Sequence, residues 1–480
     1  MGDPGVRKPA TPRRGPRRST PEADDTRRAW RRNAGRQSAV VENPQADGAT
    51  PMNDGHTHTH GHGMTGGWER WLAVPTLRAV LVAVTFAAVA TIVAVIVLWP
   101  TGEGRDAAIS NAADLGLVTE RVSATVEEQT VGPCSYSSTE NPQECREITA
   151  ILTSGPEDDS LIILPEINTE FQSGIPDLGP GDTIILGFEP ATNAYFYADL
   201  DRQAPLVWLA ILFAIVVFAL GRRRGLMALA SMAVTVFVLV VFIAPSVLDG
   251  NDPVAVAVVA AAVIAFVTLY LTHGVSPTTT VALAGTLGSL FLTLALSWVF
   301  FDLTRITGFG AEENLLLPFL AGDIDLAGLL LGGAVIGTLG ALDDITVTQV
   351  AAVSEIHDRR PDLTVSELVA SGIRVGREHI ASTVNTLLLA YAGASLPILL
   401  LFSVSDQSLA NVANTEVVAV EIVRTLCGSI GLVAAVPLTT AMAALVVTGA
   451  ASPTLPSSDS APAEEPTLRW EDFGPEDREE

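Results

Sequence analysis

Residues 77–99, LRAVLVAVTFAAVATIVAVIVLW, decide the fold of this 480-residue chain. As a helix this segment would be about 35 Å long, enough to cross the hydrocarbon core of a bilayer, which is about 30 Å thick. Similar apolar blocks with almost no charge recur along the chain, whereas a soluble protein would spread its apolar residues with a period of two or 3.6. The pattern predicts a polytopic helical membrane protein.

The spacing of the blocks predicts an all-α polytopic membrane protein with about eight transmembrane helices. Helix 1 is expected at 77–99, and a seven-helix transmembrane domain over 205–448. Arginines follow the second span and fill the loop 357–379, so the positive-inside rule places these loops and both termini in the cytoplasm. The seven later spans are expected at 205–220, 226–245, 254–272, 281–301, 326–347, 380–402 and 422–447.

One sizeable polar region interrupts the spans. Residues 101–203 alternate short apolar and polar runs separated by turn signals, which predicts a small β-rich extracytoplasmic domain between helices 1 and 2. Cys134 and Cys145 lie close together in this region. Such a pair in a polar domain predicts a disulfide formed in an oxidising compartment.

The two ends of the chain are expected to be disordered cytoplasmic tails. Residues 1–76 are rich in arginine and favour contact with anionic lipid, while residues 449–480 are acidic and of low complexity. Because Trp30 is the one aromatic residue among the arginines, nucleic acid is not an expected partner. Four imidazoles in a flexible tail bind metal weakly without fixed geometry, so neither a metal site nor a cofactor is expected. The histidines of this run are His56, His58, His60 and His62.

The segment 337–353, GTLGALDDITVTQVAAV, places Asp343 and Asp344 in the inner half of the sixth span or just past it. A carboxylate in hydrocarbon costs several kcal/mol and is tolerated where it faces protein or water. Adjacent like charges repel, and a proton or a cation would relieve that repulsion. The sequence therefore predicts an ion site, with an interfacial salt bridge to Arg374 or Arg377 as the alternative.

Small and polar residues accompany the two acids. Gly333 and Gly337 have the spacing that lets helices pack closely. Asn385, in the seventh span, offers either a neutral ligand or an interhelical hydrogen bond. The candidate ion- or substrate-binding residues are Asp343, Asp344, Thr346, Thr348, Gln349 and Asn385.

Local signals also mark the last two spans. Thr364 and Glu367 form a capping-box pattern, expected to begin a short amphipathic helix on the inner membrane surface. Glu421 and Arg424 lie three residues apart at the start of the eighth span and predict an ion pair near the outer surface. Pro437 either breaks that span and lines a cavity or kinks it.

Three stretches resemble the YibE/F-like family of bacterial multi-pass membrane proteins. They are IGTLGALDDITVTQVAAVSEI, GREHIASTVNTLLLAYAGASLPILL and EIVRTLCGSIGLVAAVPLTTAMAAL, and the junction YFYADLDRQAPL is also similar. The resemblance covers about residues 115–450 and implies a bacterial inner-membrane protein described as a permease, without an established substrate. The paired acids Asp343 and Asp344 replace the single aspartate of another version of the motif, so the family does not assign a role to either one.

These patterns favour transport over catalysis. A phosphate-binding loop is absent from the sequence, and two adjacent acids diverge by about 100° on one helix, unlike a protease pair. His273 and His379 are isolated, so we do not expect an enzyme.

We expect a secondary transporter or ion permease with a cation or proton site at the Asp pair. Its partners would be membrane lipids and a small cation or solute, and homo-oligomerisation is compatible with the sequence. The alternative is a non-transporting envelope sensor or assembly factor acting through residues 101–203.

Overall fold

The computed structural model describes residues 71–450 apart from a few short gaps. The two ends of the chain, including the histidine run and nearly all of both predicted tails, lie outside the described residues. The gaps are 73, 116–119, 139–141, 156, 171–173, 190–191, 311, 323 and 405–407, and the side chains of 312 and 313 are also outside the description.

Most of the described chain is helical. A π-helical segment, Val238–Ile243, joins the third helix to the fourth. In chain order the helices are α1 (Pro75–Val97), α2 (Glu103–Asp114), α3 (Gln203–Phe237), α4 (Ala244–Leu248), α5 (Pro253–His273), α6 (Pro277–Thr304), α7 (Glu312–Ala321), α8 (Leu326–Arg359), α9 (Val365–Ala394), α10 (Leu396–Val404), α11 (Leu409–Ala413) and α12 (Glu416–Ala450).

Several long helices begin at residues that satisfy the free N–H groups of a first turn. Asp252 accepts a hydrogen bond from the backbone N–H of Ala255 at 2.7 Å, and Ser276 and Asp325 cap α6 and α8 in the same way. The capping box at the start of α9 is confirmed. The prediction that this helix is short was wrong, because α9 continues for 30 residues without a break.

Six helical segments among the described residues are long and apolar enough to cross a membrane, and the number becomes seven if α9 and α10 count as one span. These two helices are bent by 61° at their junction. The sequence had predicted eight spans. The remaining difference arises in one 46-residue segment, Gln203–Leu248, which covers the second and third predicted spans.

This long segment folds back on itself. Arg222 has φ 50° and ψ −124°, which is not a helical conformation. A Cβ atom on Gly225 would overlap the carbonyl oxygen of Val217. In a straight helix these two residues would be about 12 Å apart. The segment therefore consists of two helical arms joined by a turn at Arg222.

Helices α6, α8 and α12 pack against one another at the centre of the membrane-spanning part, with α5 and α9 beside them. Leu283, Leu342 and Leu432, one from each central helix, are fully buried in one apolar cluster. Close approach depends on small residues, since a Cβ on Gly431 would overlap the hydroxyl of Thr293 on α6. Contacts of this kind drive helix association in lipid, where burial of apolar surface gives little gain.

Residues between α2 and α3 form an antiparallel sheet. Alternate residues of its central strand, Val122, Ala124 and Val126, are buried, as the period-two pattern predicts. The sheet order is β3-β2-β1-β5-β6, and β4 also pairs with β2. The strands are β1 (Glu120–Pro133), β2 (Glu144–Leu152), β3 (Leu161–Ile163), β4 (Ile167–Asn168), β5 (Thr183–Glu189) and β6 (Ala194–Leu200).

A disulfide closes the connection between β1 and β2. The Sγ atoms of Cys134 and Cys145 are 2.05 Å apart, and both residues are buried. The third cysteine, Cys427, is a buried free thiol in α12. The covalent bond holds the ends of two long paired strands together, which restricts the unfolded chain and stabilises the sheet.

Asp249 ties the end of α4 to the start of α2. Its carboxylate accepts hydrogen bonds from the backbone N–H groups of Thr101, Gly102 and Gly104 and from the Thr101 hydroxyl, at 2.5–3.1 Å. Burial opposes ionisation of this carboxyl, but the hydrogen bonds outweigh it and hold its pKa below the usual value. A carboxylate at the N-terminus of α2 also interacts favourably with the helix dipole.

Candidate functional site

The two adjacent acids lie well inside α8. Asp343 comes 17 residues after the first residue of the helix, Leu326, or about 26 Å along its axis. The helix continues to Arg359, well past the end predicted for the sixth span. Asp343 is half-buried and Asp344 is exposed, because neighbouring residues of a helix point about 100° apart. The acids therefore face two different environments.

Asp343 lies where α5, α6 and α8 meet. Its Oδ2 accepts a hydrogen bond of 3.1 Å from the hydroxyl of Thr268 on α5. Its Oδ1 is buried and has no hydrogen-bond partner among the described residues. Beside it, the hydroxyls of Thr286 and Thr346 are 2.7 Å apart, and Thr346 also donates to the backbone oxygen of Asp343 at 3.2 Å. The acid is thus lined by hydroxyl groups from all three helices.

This arrangement can hold one positive charge. A buried carboxylate oxygen without a partner is costly, and a bound proton or cation would satisfy it. The described residues contain no group of three or more His, Cys, Asp or Glu side chains that could hold a metal ion. Divalent cations prefer several charged oxygen ligands, whereas one carboxylate among hydroxyl groups is a ligand set that suits a proton or a monovalent ion.

Asp344 belongs to an open face of α8. Gly333, Gly337 and Gly340 lie on the same face and are exposed, as is Asp344. Close packing at the predicted pair is found at Gly337, where a Cβ would lie 2.8 Å from the hydroxyl of Tyr391 on α9, but not at Gly333. The buried glycines of α8 are Gly328 and Gly332, and α5 packs against Gly332. Thr348 follows on this face, and its hydroxyl donates to the backbone oxygen of Asp344 at 2.6 Å.

The side chain of Gln349 points between helices and not toward the two acids. Its side chain is fully buried, and its amide Nε2 donates to the backbone oxygen of Gly372 at 2.8 Å and to the Thr440 hydroxyl at 2.7 Å. Both amide hydrogens are therefore used in cross-linking α8 to α9 and α12. This geometry gives Gln349 a packing role between three helices.

The structure does not bring Asn385 to the acids. Asn385 is exposed on α9, and no contact joins it to Asp343 or Asp344 within the part of the chain that the structure describes. The alternative salt bridge is also absent there, since neither acid pairs with an arginine. Arg374 instead donates to the Ser371 hydroxyl at 2.7 Å.

A second charged group lies near the start of α12. Arg424 Nη1 is 2.9 Å from Glu421 Oε1, and both side chains are largely buried. The guanidinium carbon of Arg424 lies 5.9 Å from the centre of the Tyr391 ring. Further along, α12 continues through Pro437 as one helix to Ala450.

Sequence reasoning missed Thr268 and Thr286. Thr268 is a single hydroxyl in an apolar span, and no sequence signal separates it from a threonine that bonds its own helix. Thr286 carried a signal, because it begins a buried row of hydroxyls on one face of α6. That row consists of Thr286, Ser289, Thr293 and Ser297, each fully buried.

The model of the YibE/F-like protein family matches residues 209–449, about half of the chain. The chain belongs to the YibE/F-like family. This match confirms the resemblance of the three sequence stretches and, with the long apolar helices, makes the chain a membrane protein. No curated protein and no solved structure matches the chain. The YibE/F-like region contains Asp343 with Thr268 and Thr286, whereas the sheet precedes it.

Proposed function

We propose that this protein is a secondary transporter or ion permease of the bacterial inner membrane in which Asp343 binds a proton or a monovalent cation. The observation that carries the proposal is the Asp343 carboxylate, with Oδ2 bonded to Thr268 and Oδ1 buried without a partner among the described residues. A charged oxygen in this position costs several kcal/mol unless a positive charge meets it. Ion binding would therefore be strongly favoured at this point of α8.

The proposal assigns the ion to Asp343 and not to the pair. Asp344 points to a different face of α8, on which Gly333, Gly337 and Gly340 are also exposed and which the Tyr391 hydroxyl approaches at Gly337. One buried carboxylate carries one charge, which matches one proton or one monovalent cation per cycle.

The test compares the two adjacent acids in liposomes containing the purified protein. Asp343→Asn should lower the flux of protons, Na⁺ or K⁺ at least tenfold, measured with a pH-sensitive dye or a tracer ion inside the vesicles. Asp344→Asn is the matched control and should retain more than half of the flux. Equal flux in wild type and Asp343→Asn, or no flux of any of these ions through the wild type, would contradict the proposal.

An eight-span topology with both termini in the cytoplasm is part of the proposal. It is supported by the reversal at Arg222, which divides Gln203–Leu248 into two spans, and by counting α9 with α10 as one. Three contacts join segments that this topology puts on the outer side: Asp249 to Thr101, Asn111 to Leu320, and Glu416 to Thr307. Arg222, Arg223 and Arg224 then lie inside, as the positive-inside rule requires.

A non-transporting envelope sensor or assembly factor is the second candidate. It is favoured by the sheet domain, which has its own apolar core and a disulfide and precedes the matched residues 209–449. Removing residues 120–200 discriminates between the two functions. A transporter should keep measurable ion flux in liposomes without this domain, whereas a sensor should lose its cellular effect and show no flux in either form.

A further inference from the structure

A cavity of about 220 Å³, partly open at the surface of the helix bundle, lies between α9, α10 and the first three turns of α12. It is found where α9 bends into α10, at Ser395. The cavity is larger than the cavities of about 150 Å³ that bind benzene in protein cores, and smaller than most drug-sized sites. Its volume thus suits a compact organic molecule of little more than one ring.

The wall of this cavity is apolar except at a few points. Most of the wall is leucine, isoleucine, valine and alanine side chains, including Leu388, Ile398 and Leu426. The ionisable residues that line it are Glu421 and Tyr391. A ligand inside would meet one carboxylate, one aromatic ring and a hydrocarbon surface.

The carboxylate of Glu421 lies between the cavity and Arg424. Its Oε1 is paired with Arg424 Nη1 at 2.9 Å, while Oε2 accepts no hydrogen bond from a described residue. Arg424 is more buried than Glu421, with 18% of its side chain exposed against 29%, and does not line the cavity. A charged ligand entering the cavity would therefore meet the glutamate and not the guanidinium.

We propose that this cavity binds a monovalent organic ammonium cation, with Glu421 Oε2 as the counter-ion and the Tyr391 ring against the ammonium methyl groups. A weakly hydrated quaternary ammonium loses little on leaving water and gains from an aromatic face. An inorganic cation would need several oxygen ligands, which the apolar wall does not supply. The site does not involve Asp343 and stands whether or not the protein transports ions.

The binding experiment uses full-length protein in lipid nanodiscs and three probes of similar shape, measured by calorimetry. Benzyltrimethylammonium is the cation, neopentylbenzene is its neutral carbon isostere, and phenylacetate is an anion. Wild type should bind the cation at least tenfold more tightly than either of the others. Equal affinity for the neutral probe would indicate a purely apolar occupant, such as a lipid chain, and would overturn the proposal. Absence of cation binding at millimolar concentration would also overturn it.

Variants separate the charge from the cavity. Glu421→Gln with Arg424→Gln removes both charges, leaves no unpaired arginine, and should weaken cation binding at least tenfold without changing neutral binding. Ala392→Phe fills the cavity away from the ion pair and should abolish binding of all probes. Glu378→Gln, at an exposed acid on the same helix α9, is the control and should bind like wild type. Asp343→Asn should also bind normally, so a failure of the ion site would not affect this result.

Discussion

At the scale of single residues, the two halves of an acidic pair have different environments. The sequence predicted an ion site at Asp343 and Asp344 but could not rank them, because the helical phase of α8 against its neighbours is set by tertiary packing. Thr268, which donates a hydrogen bond to Asp343, and Thr286, which lies beside it, belong to other helices, 75 and 57 residues away in sequence. A pattern within one segment carries no information about such partners.

Substitution of Gln349 distinguishes its predicted ligand role from a packing role. Gln349→Leu should lower the free energy of unfolding by about 1–3 kcal/mol, because it leaves the Gly372 carbonyl and the Thr440 hydroxyl without their donor. Unfolding by sodium dodecyl sulfate in mixed micelles measures the change. Thr348→Val is the control, since that hydroxyl bonds within its own helix, and should cost less than about 0.5 kcal/mol.

The opposite result would restore the ligand role. If Gln349→Leu unfolds at the wild-type detergent concentration but stops ion flux, then the amide serves transport and the cross-link is incidental. Reduced stability with flux in proportion to the folded fraction would support the packing role.

At the scale of helices, hydroxyl groups and glycines set how closely α6, α8 and α12 approach. The buried Thr293 hydroxyl of α6 faces Gly431 of α12, and Gly285 of α6 faces the Thr439 hydroxyl of α12 in the same way. The first residues of helices were predictable from capping residues such as Thr364, because a cap bonds to residues only three positions further along the chain. Helix lengths were not, because α9 continues through a polar, partly buried stretch that packs against α8 and α12, and such packing is not visible in a local pattern.

Gly431→Ala should disrupt the contact between α6 and α12. The new Cβ would overlap Thr293 Oγ1, so the helices must move apart, at a cost of about 1–3 kcal/mol. Gly393→Ala is a matched control on α9, where a Cβ meets open space, and should be neutral or slightly stabilising through helix propensity. Detergent unfolding compares the two. An equal effect of both substitutions would show that close approach at Gly431 is unimportant.

Asp249 should make the connection between α2 and α4 sensitive to acid. Because its folded-state pKa is lowered, its stabilisation is complete above the pKa of the unfolded carboxyl, near 4, and is lost as the pH falls through the folded pKa. Asp249→Asn should therefore destabilise the protein by about 1–3 kcal/mol at pH 7 and by less at pH 3. Thermal unfolding at both pH values measures this difference. Asp158→Asn, at an exposed acid of the sheet domain, should show no such change. A constant gap between wild type and Asp249→Asn at all pH values would contradict the mechanism.

At the scale of the whole molecule, sequence patterns predicted a bundle of apolar helices with a β-rich insertion. Hydropathy and the two cysteines are strong signals for these features. The count of spans from the sequence differs from the count of helices at Gln203–Leu248. A tight reversal at Arg222 leaves the helical hydrogen-bond pattern almost uninterrupted while it changes the direction of the chain. The hydropathy pattern of the sequence divides this segment into two predicted spans, 205–220 and 226–245. A count of continuous helices treats the same residues as one span.

Cysteine accessibility tests the reversal at Arg222. Gly221→Cys should react with an impermeant maleimide only after the cytoplasmic side is opened, because nothing lies within 4 Å of its Cβ and the turn is expected inside. Arg105→Cys, exposed on α2, should react in intact cells from the outer side. Wild type, with a disulfide and the buried Cys427, gives the background. Labelling of Gly221→Cys from outside would contradict the eight-span topology.

The turn at Arg222 also bears on how this protein is made. Two apolar arms that meet at Arg222, Arg223 and Arg224 can enter the bilayer together as a helical hairpin, with the guanidinium groups left among lipid phosphates on the side of synthesis. In the eight-span topology the first arm follows the sheet domain across the membrane, and after the turn only the short connection from Asp249 to Asp252 remains to be exported. Replacing the three arginines would remove this anchor, and the positive-inside rule would then no longer fix the orientation of the two arms.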